Sequence, residues 1–347
     1  MPEIFYDSQI ATFEGNPRHR NLAATSSIVL MATLVIGASA TPAFARPTLV
    51  REIAKECDTA SSNDSISACE EFIATRRPKG NLLSMVYNNI GIAYSRMGDH
   101  ERAVEAFSNA LRADSRHVPP RTNRARSLAS IARFDDAIAD MDAAIKLAPT
   151  GDHYALRADF RERNSDLDGA LADLAEAIKR QPAVAAHYSN RATVYAKLSK
   201  HAESIEDFSR AIQLNPRDPS LYFGRGLAWA NAGKCDQAVP DYTKAITLSP
   251  RYSTAYNNRG VCNARAGKRD EAIADYEEAL KWAPGNELAR RNLEIVKNTP
   301  IARPIPAIIE VPKFDIPKVE EMLKVPEFPI EATPAIQAVP IVPSEKE

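Results

Sequence analysis

Four cysteines are the residues of this chain with the clearest chemistry. They are Cys57, Cys69, Cys235 and Cys262. An even number of cysteines favours disulfide bonds when a chain is exported to an oxidising compartment. Four buried free thiols are the alternative interpretation. A four-cysteine zinc site is disfavoured, because the spacings contain no C-x-x-C pair.

A second pattern pairs arginine with aspartate. Five arginines recur at intervals of 33 or 34 residues, namely Arg124, Arg157, Arg191, Arg225 and Arg259. Five aspartates lie 16 residues further along, namely Asp140, Asp173, Asp207, Asp241 and Asp275. Partners from the same unit close all five pairs, whereas partners from successive units leave Arg124 and Asp275 alone. We therefore predict five structural ion pairs, each within one unit.

No catalytic or metal-binding motif accompanies these patterns. The sequence contains no G-x-S-x-G, no H-E-x-x-H and no glycine-rich phosphate loop. His153 and His187 hold equivalent places in adjacent units, and we favour surface histidines over metal ligands. A net charge of −1 at pH 7 gives no sign of the basic stripe that nucleic acid requires. We therefore expect no enzyme activity, no metal, no cofactor and no nucleic-acid partner.

A repeated unit underlies both patterns. The second half of each unit opens on a small residue, namely Ala103, Ala137, Ala170, Ser204, Ala238 and Ala272. The steps between them are 34, 33, 34, 34 and 34 residues, and such a period indicates a solenoid of stacked supersecondary units. We place six repeats at 84–117, 118–150, 151–184, 185–218, 219–252 and 253–286. The shorter step falls near Pro149, where we expect either a local change of superhelix or a neutral loop deletion.

Each repeat has the residues that a pair of antiparallel helices needs. In the sixth repeat, small Gly260 and Ala272 let the helices approach, Tyr276 fills space, and Pro284 ends the second helix. This pattern of residues resembles the tetratricopeptide repeat family over 203 residues. The resemblance implies an all-α, right-handed superhelical solenoid. It also implies that the first helices line a concave groove for a polypeptide.

The same resemblance implies which residues line the groove. They include Asn88, Arg126, Asp159, Glu162, Phe223, Leu227, Ala230 and Val261. Asparagines recur where related domains hold a ligand backbone or carboxylate, at Asn89, Asn123, Asn190 and Asn258. The last two repeats are the most apolar, and an exposed apolar patch there would mark a partner site. Ordinary helix packing is the alternative for these residues.

The repeat suggests how the cysteines pair. Cys57 and Cys69 flank a polar turn within residues 46–83, a degenerate N-terminal helical hairpin. Cys235 opens the second helix of repeat five, and Cys262 lies in the first helix of repeat six. Those two helices should run side by side and antiparallel. We therefore predict disulfides 57–69 and 235–262, with free thiols as the alternative.

Residues 1–45 have the layout of a secretory signal peptide. A basic segment precedes an apolar core at 28–38, and an A-x-A pattern ends at Ala45. An uncleaved membrane anchor is the alternative. We expect no other membrane contact.

The C-terminal end has two parts. Residues 287–298 form a predicted amphipathic helix that caps the last repeat. Residues 299–347 hold ten prolines and no glycine, which predicts an extended, disordered tail. This apolar tail is long enough to fold back over repeats five and six, and one hypothesis is that it occupies the groove of its own chain until a partner displaces it. A spacer or a strand-forming tail bound elsewhere is the alternative.

These features predict an exported bacterial tetratricopeptide protein of the periplasm. A membrane-anchored protein with its repeats outside the cytoplasm is the alternative. The predicted function is a non-catalytic scaffold or adaptor of the cell envelope that binds a protein or peptide. A regulatory or accessory subunit of an envelope enzyme or polysaccharide-export complex is the other candidate.

Overall fold

A computed structural model describes residue 57 and residues 63–299 of the chain. The described part contains fourteen helices and no strand, so the predicted all-α repeat array is confirmed. The helices are α1 Asn63–Arg76, α2 Gly80–Arg96, α3 His100–Ala113, α4 Val118–Ser130, α5 Phe134–Leu147, α6 Gly151–Arg163, α7 Leu167–Arg180, α8 Ala185–Lys197, α9 His201–Leu214, α10 Pro219–Asn231, α11 Cys235–Leu248, α12 Ser253–Arg265, α13 Arg269–Trp282 and α14 Glu287–Asn298. The predicted signal peptide and the predicted tail beyond Thr299 lie outside the described residues.

Each repeat is one helical hairpin. Its first helix (the A helix) is α2, α4, α6, α8, α10 or α12, and its second (the B helix) is α3, α5, α7, α9, α11 or α13. Every helix from α2 onwards packs on the next along the chain. The loop from a B helix to the next A helix has four residues, as at 114–117, except after α5. There it has three, 148–150, which accounts for the shorter step in the sequence.

One backbone conformation closes all six hairpins. The second residue after each A helix has a positive φ, at Gly98, Ala132, Ser165, Ser199, Gly233 and Gly267. A left-handed residue at this place ends a helix and reverses the chain, and glycine adopts it without a steric penalty. In repeats two, three and four the residue with this conformation is not glycine but Ala132, Ser165 or Ser199, so each of these repeats carries a steric cost there.

The ring that fills each hairpin sets the size of the residue opposite it. A methyl group added to Gly91, Gly226 or Gly260 would lie 2.5, 2.9 or 2.8 Å from the ring of Phe107, Tyr242 or Tyr276. Repeats two and three have Met141 and Leu174 in place of the ring, and an alanine, Ala125 or Ala158, in place of the glycine. Repeat four combines Ala192 with Phe208, whose ring lies instead against Gly224 of the next repeat. Close approach of helices therefore depends on paired side-chain sizes.

One further helix lies at each end of the repeats. At the front, α1 buries Ala68 and Phe72. Residues 46–62 of its predicted hairpin lie outside the described residues, apart from Cys57, and α2 begins at Gly80, within the predicted hairpin. At the far end, the side chain of Asn286 accepts a hydrogen bond from the Ala289 N–H and so caps α14. This helix buries Ala289, Asn292 and Val296 and leaves charged residues outside. No helix in residues 63–299 has the length and apolarity that crossing a bilayer requires.

We predict that Ser199→Gly stabilises the array. The serine has a φ of 57°, and glycine removes the steric cost of that conformation, worth about 1 kcal/mol of unfolding free energy. Gly233→Ala at the equivalent place should lower the free energy of unfolding by a similar amount. No neighbouring atom lies within 4 Å of the added methyl group, so the loss reports the cost of the positive φ alone. Urea unfolding of both variants measures the effect. Equal stability of Ser199→Gly and the parent protein would contradict it.

Candidate functional site

The A helices form the inner face of the array. Pairs α2 and α4, α8 and α10, α10 and α12, and α12 and α14 all approach within 8 Å between Cα atoms. Successive B helices lie farther apart. An array whose A helices are closer together than its B helices curves towards the A helices. We call the surface formed by α2, α4, α6, α8, α10 and α12 the A-face.

The centre of the A-face is more open and charged. Helix α6 approaches its A-helix neighbours α4 and α8 less closely than the other pairs approach one another. Three predicted groove residues lie here and are half-buried, namely Arg126, Asp159 and Glu162. The charged part of the predicted groove therefore lies on two neighbouring A helices, α4 and α6.

An ion pair across this centre was missed by the sequence analysis. Lys197 of α8 pairs with Glu162 of α6, and their side chains are 6% and 14% exposed. Asp159 also lies 4.0 Å from Arg163, between Oδ2 and Nη1. The opposite charges of Glu162 and Lys197 at adjoining groove positions of successive repeats are a signal that could have revealed the pair.

The predicted groove asparagines mostly act within the array. Asn123 Nδ2 donates to Asn88 Oδ1 at 3.0 Å, which ties α4 to α2. At the other end Asn292 Nδ2 donates to Asn257 Oδ1 at 3.1 Å, which ties α14 to α12. Four of the predicted asparagines are buried, namely Asn88, Asn89, Asn123 and Asn258, whereas Asn190 is half-buried.

The expected exposed apolar patch on the last two repeats is wrong. Phe223, Leu227 and Ala230 are each 3% exposed, and Val261 is fully buried. The ring centroid of Phe223 lies 5.1 Å from that of Tyr252, so the chain covers this side chain itself. Val261 packs in one cluster with residues of α13 and α14. Helix packing, the alternative interpretation, describes these four residues.

Each of the five arginines binds the aspartate of its own repeat through two hydrogen bonds. Arg191 shows the geometry, with Nε donating to Asp207 Oδ2 at 2.7 Å and Nη2 to Oδ1 at 2.8 Å. The aspartate side chains are 4% to 8% exposed and the arginines 14% to 24%. The bonds to Asp207 raise the pKa of the Arg191 guanidinium above its ordinary value. The A and B helices of repeats two to six are joined in this way.

The sequence analysis missed a third bond of these guanidinium groups, to the preceding repeat. The Nη1 atoms of Arg124, Arg225 and Arg259 donate to Ser108, Ser209 and Thr243 at 2.9, 3.1 and 3.1 Å. Arg157 donates to Asp142 at 2.5 Å in the same way. Only Arg191 has no such acceptor among the described residues, because the equivalent residue is Ala175.

Both predicted cysteine pairings are disulfides in the structure. The Cα atoms of Cys57 and Cys69 are 4.7 Å apart, and those of Cys235 and Cys262 are 5.2 Å apart. The second disulfide joins α11 of repeat five to α12 of repeat six. The first joins residue 57 to α1.

The two histidines are buried rather than on the surface. His153 Nδ1 lies 2.7 Å from the Ala148 carbonyl oxygen, and His187 Nε2 lies 2.8 Å from Gln181 Oε1. They are 6% and 1% exposed, so the expectation of surface histidines is wrong. Burial lowers the pKa of His187, and nearby Asp152 opposes that shift in part. The described residues contain no group of three side chains that could hold a metal ion.

Comparison with known proteins identifies the repeats. Two family models, both described as tetratricopeptide repeat, match the chain. One matches residues 122–185 and 223–287, and the other matches residues 84–117 and 185–218. Together they cover more than half of the chain and reach all six repeats. None of the curated proteins matches the chain.

Solved structures share the fold. A tetratricopeptide repeat protein from Parabacteroides merdae superposes with a TM-score of 0.55 at 19% identity, covering 73% of this chain and 99% of that one. The C-terminal part of a repeat protein from Cytophaga hutchinsonii has a TM-score of 0.55 at 14% identity, covering 71% and 98%. PilW, a type IV pilus biogenesis factor, has a TM-score of 0.55 at 16% identity, covering 63% and 100%. At these identities the likeness concerns the fold alone.

We predict that Arg191→Ala lowers the free energy of unfolding by about 3 kcal/mol, the lower end for a buried pair. The substitution leaves the Asp207 carboxylate, 7% exposed, without its two hydrogen bonds. Arg210 is an exposed residue of α9, and Arg210→Ala is the matched control, which should change stability by less than about 0.5 kcal/mol. Chemical unfolding of both variants makes the comparison. Equal losses would show that the pair contributes no more than a surface arginine.

We predict that His187 makes the protein less stable in mild acid. Its pKa is lowered in the folded state, so the unfolded chain binds more protons once the pH falls below about 6.5. The free energy of unfolding therefore decreases as the pH falls through about 6.5, and the contribution of His187 levels off about one pH unit above that value. His187→Gln should show a smaller decrease between pH 7 and pH 5 in denaturant titrations. An unchanged slope in that variant would mean that other groups cause it.

Proposed function

Because the chain belongs to the tetratricopeptide repeat family, we propose that it is a non-catalytic scaffold that binds a polypeptide on its A-face. Tetratricopeptide repeats typically present an extended surface to another chain, and each repeat adds a strip of it. The proposed site is the centre of the A-face, between α4, α6 and α8. It includes Arg126, Asp159, Glu162 and Asn190 from the predicted groove, and it adds Lys197.

One observation carries this proposal: charged side chains occupy the place where the A helices are least close. At the position equivalent to Glu162, other repeats have a buried alanine, as at Ala129, Ala230 and Ala264. Small apolar residues there give close packing, whereas charged ones cost desolvation unless they are paired or solvated. Glu162 is already paired with Lys197, so a charged partner segment would exchange with ion pairs of this kind rather than separate packed apolar helices.

The chemistry of the site favours a charged partner segment over an apolar one. Arg126 can bind a carboxylate with two parallel hydrogen bonds, and Asp159 and Glu162 can accept from basic side chains or backbone N–H groups. Charges of both signs along one groove select the register and direction of a bound chain. The buried Phe223 and Leu227 contribute to stability and lie outside this proposed site.

For the compartment we propose the cell envelope. Two disulfides in the described residues are consistent with an oxidising environment. The expected signal peptide at 1–45 agrees with this, and it lies outside the described residues. The expected contact of the tail with the groove also lies outside them.

Site-directed photo-cross-linking in the native host tests the proposal. A photoreactive residue replaces half-buried Thr193 on α8, and mass spectrometry identifies the polypeptide that it captures. We expect Arg126→Glu to weaken the purified complex with that polypeptide by at least about tenfold in Kd, or 1.4 kcal/mol. The reversed charge would repel the partner's carboxylates and attract the neighbouring basic groups.

Arg210→Glu on the outer surface of α9 is the matched control, with the same change of charge away from the A-face. It should leave Kd unchanged. If both variants bind the captured polypeptide as the parent protein does, the centre of the A-face is not its site. Capture of a single enzyme whose activity changes on binding would favour the accessory-subunit alternative.

A further inference from the structure

The two disulfides lie at opposite ends of the described array and differ in their exposure. Cys57 and Cys69 are both fully buried, among the side chains of the front unit. Cys262 is 1% exposed, whereas its partner Cys235 is half-buried and reaches the surface. Thiol–disulfide exchange requires a thiolate to reach one of the two sulfur atoms. Of the four cysteines only Cys235 is not buried, so a thiolate from solvent has better access to the Cys235–Cys262 disulfide than to Cys57–Cys69.

The surroundings of Cys235 favour its release as a thiolate. It is the first residue of α11, where unpaired backbone N–H groups and the helix dipole stabilise a negative charge. Lys234 precedes it at the N-cap, makes no side-chain cap, and lies 5.3 Å above the Trp229 ring. Asp236 follows in the first turn and is the one acidic neighbour there.

The disulfide also holds the last repeat to the array. It spans 27 residues and joins two helices that belong to different repeats. The terminal repeat of a solenoid has one neighbour among the repeats, so its stability depends on that single interface. Loop closure of this size shifts the opening equilibrium by roughly one hundredfold towards the closed form. Polar links such as Arg259 to Thr243, at 3.1 Å, remain when the disulfide is broken.

We propose that Cys235–Cys262 is a redox-sensitive clasp, which a dithiol reductant opens before Cys57–Cys69 and which then releases repeat six and α14 as a unit. One thiolate of the dithiol attacks Sγ of Cys235, the S–S bond breaks, and Cys262 leaves as a thiolate and takes a proton. The second thiol of the reductant, as its thiolate, attacks the reductant's own sulfur in the mixed disulfide and displaces Cys235. The protein gains two electrons and two protons, and the dithiol is oxidised to its disulfide. This inference is independent of the polypeptide that the A-face binds.

Redox titration of the full chain tests the order of reduction. The protein is equilibrated in buffers with increasing ratios of reduced to oxidised dithiothreitol, and free thiols are labelled with one isotopic form of an alkylating reagent. After complete reduction the remaining thiols take the other form, and mass spectrometry gives the reduced fraction of each cysteine. We expect Cys235 and Cys262 to reach half-reduction at a ratio at least about tenfold lower than Cys57 and Cys69. Equal midpoints for the two pairs, or the reverse order, would overturn the proposal.

Hydrogen exchange tests the structural consequence. In a Cys235→Ser, Cys262→Ser double variant, amides of α12, α13 and α14 should exchange up to about one hundredfold faster than in the oxidised parent. Amides of α6 and α7 should be unchanged. Unchanged exchange in residues 253–298 would show that the disulfide does not hold the last repeat. An equal increase in α6 and α7 would show that the whole array loosens, and would overturn the localised opening.

Discussion

A buried aspartate and its arginine are the interaction on which repeats two to six depend. The carboxylate of Asp207, 7% exposed, is tolerated at the hairpin interface because two N–H groups of Arg191 bind it. Four of the five arginines then use their remaining Nη1 to bind the preceding repeat. One side chain thereby fixes two contacts at once, the packing of A on B within a repeat and the stacking of that repeat on its neighbour.

The period and the residues at fixed places in the repeat predicted stacked pairs of helices, and their resemblance to the tetratricopeptide repeat family predicted the solenoid. Small residues, aromatic rings and prolines at fixed spacings along the sequence indicate paired antiparallel helices. Pairing of arginine with aspartate within a repeat follows from counting, because the first repeat lacks both residues. The third bond of the guanidinium was missed. It could have been found, since Ser108, Ser209 and Thr243 each lie 16 residues before the arginine that donates to them.

Exposure on the A-face could not be predicted with the same success. Whether Phe223 or Leu227 is covered depends on the distance between successive A helices and on the path of the next loop, which carries Tyr252. A position within the repeat does not encode either quantity. The burial of Lys197 beside Glu162 has the same cause, because it arises where two helices from different repeats meet.

The distribution of these contacts explains why the centre of the array is suited to binding. Amide pairs tie neighbouring A helices together at both ends, from Asn88 to Asn123 and from Asn257 to Asn292. A partner inserted there would have to break buried hydrogen bonds, which costs the full desolvation of each group. Around α6 the A helices approach one another less closely, and charged side chains lie there, among them the Glu162–Lys197 pair. A bound segment there would replace solvent and ion pairs without separating packed helices, so preorganisation favours the centre.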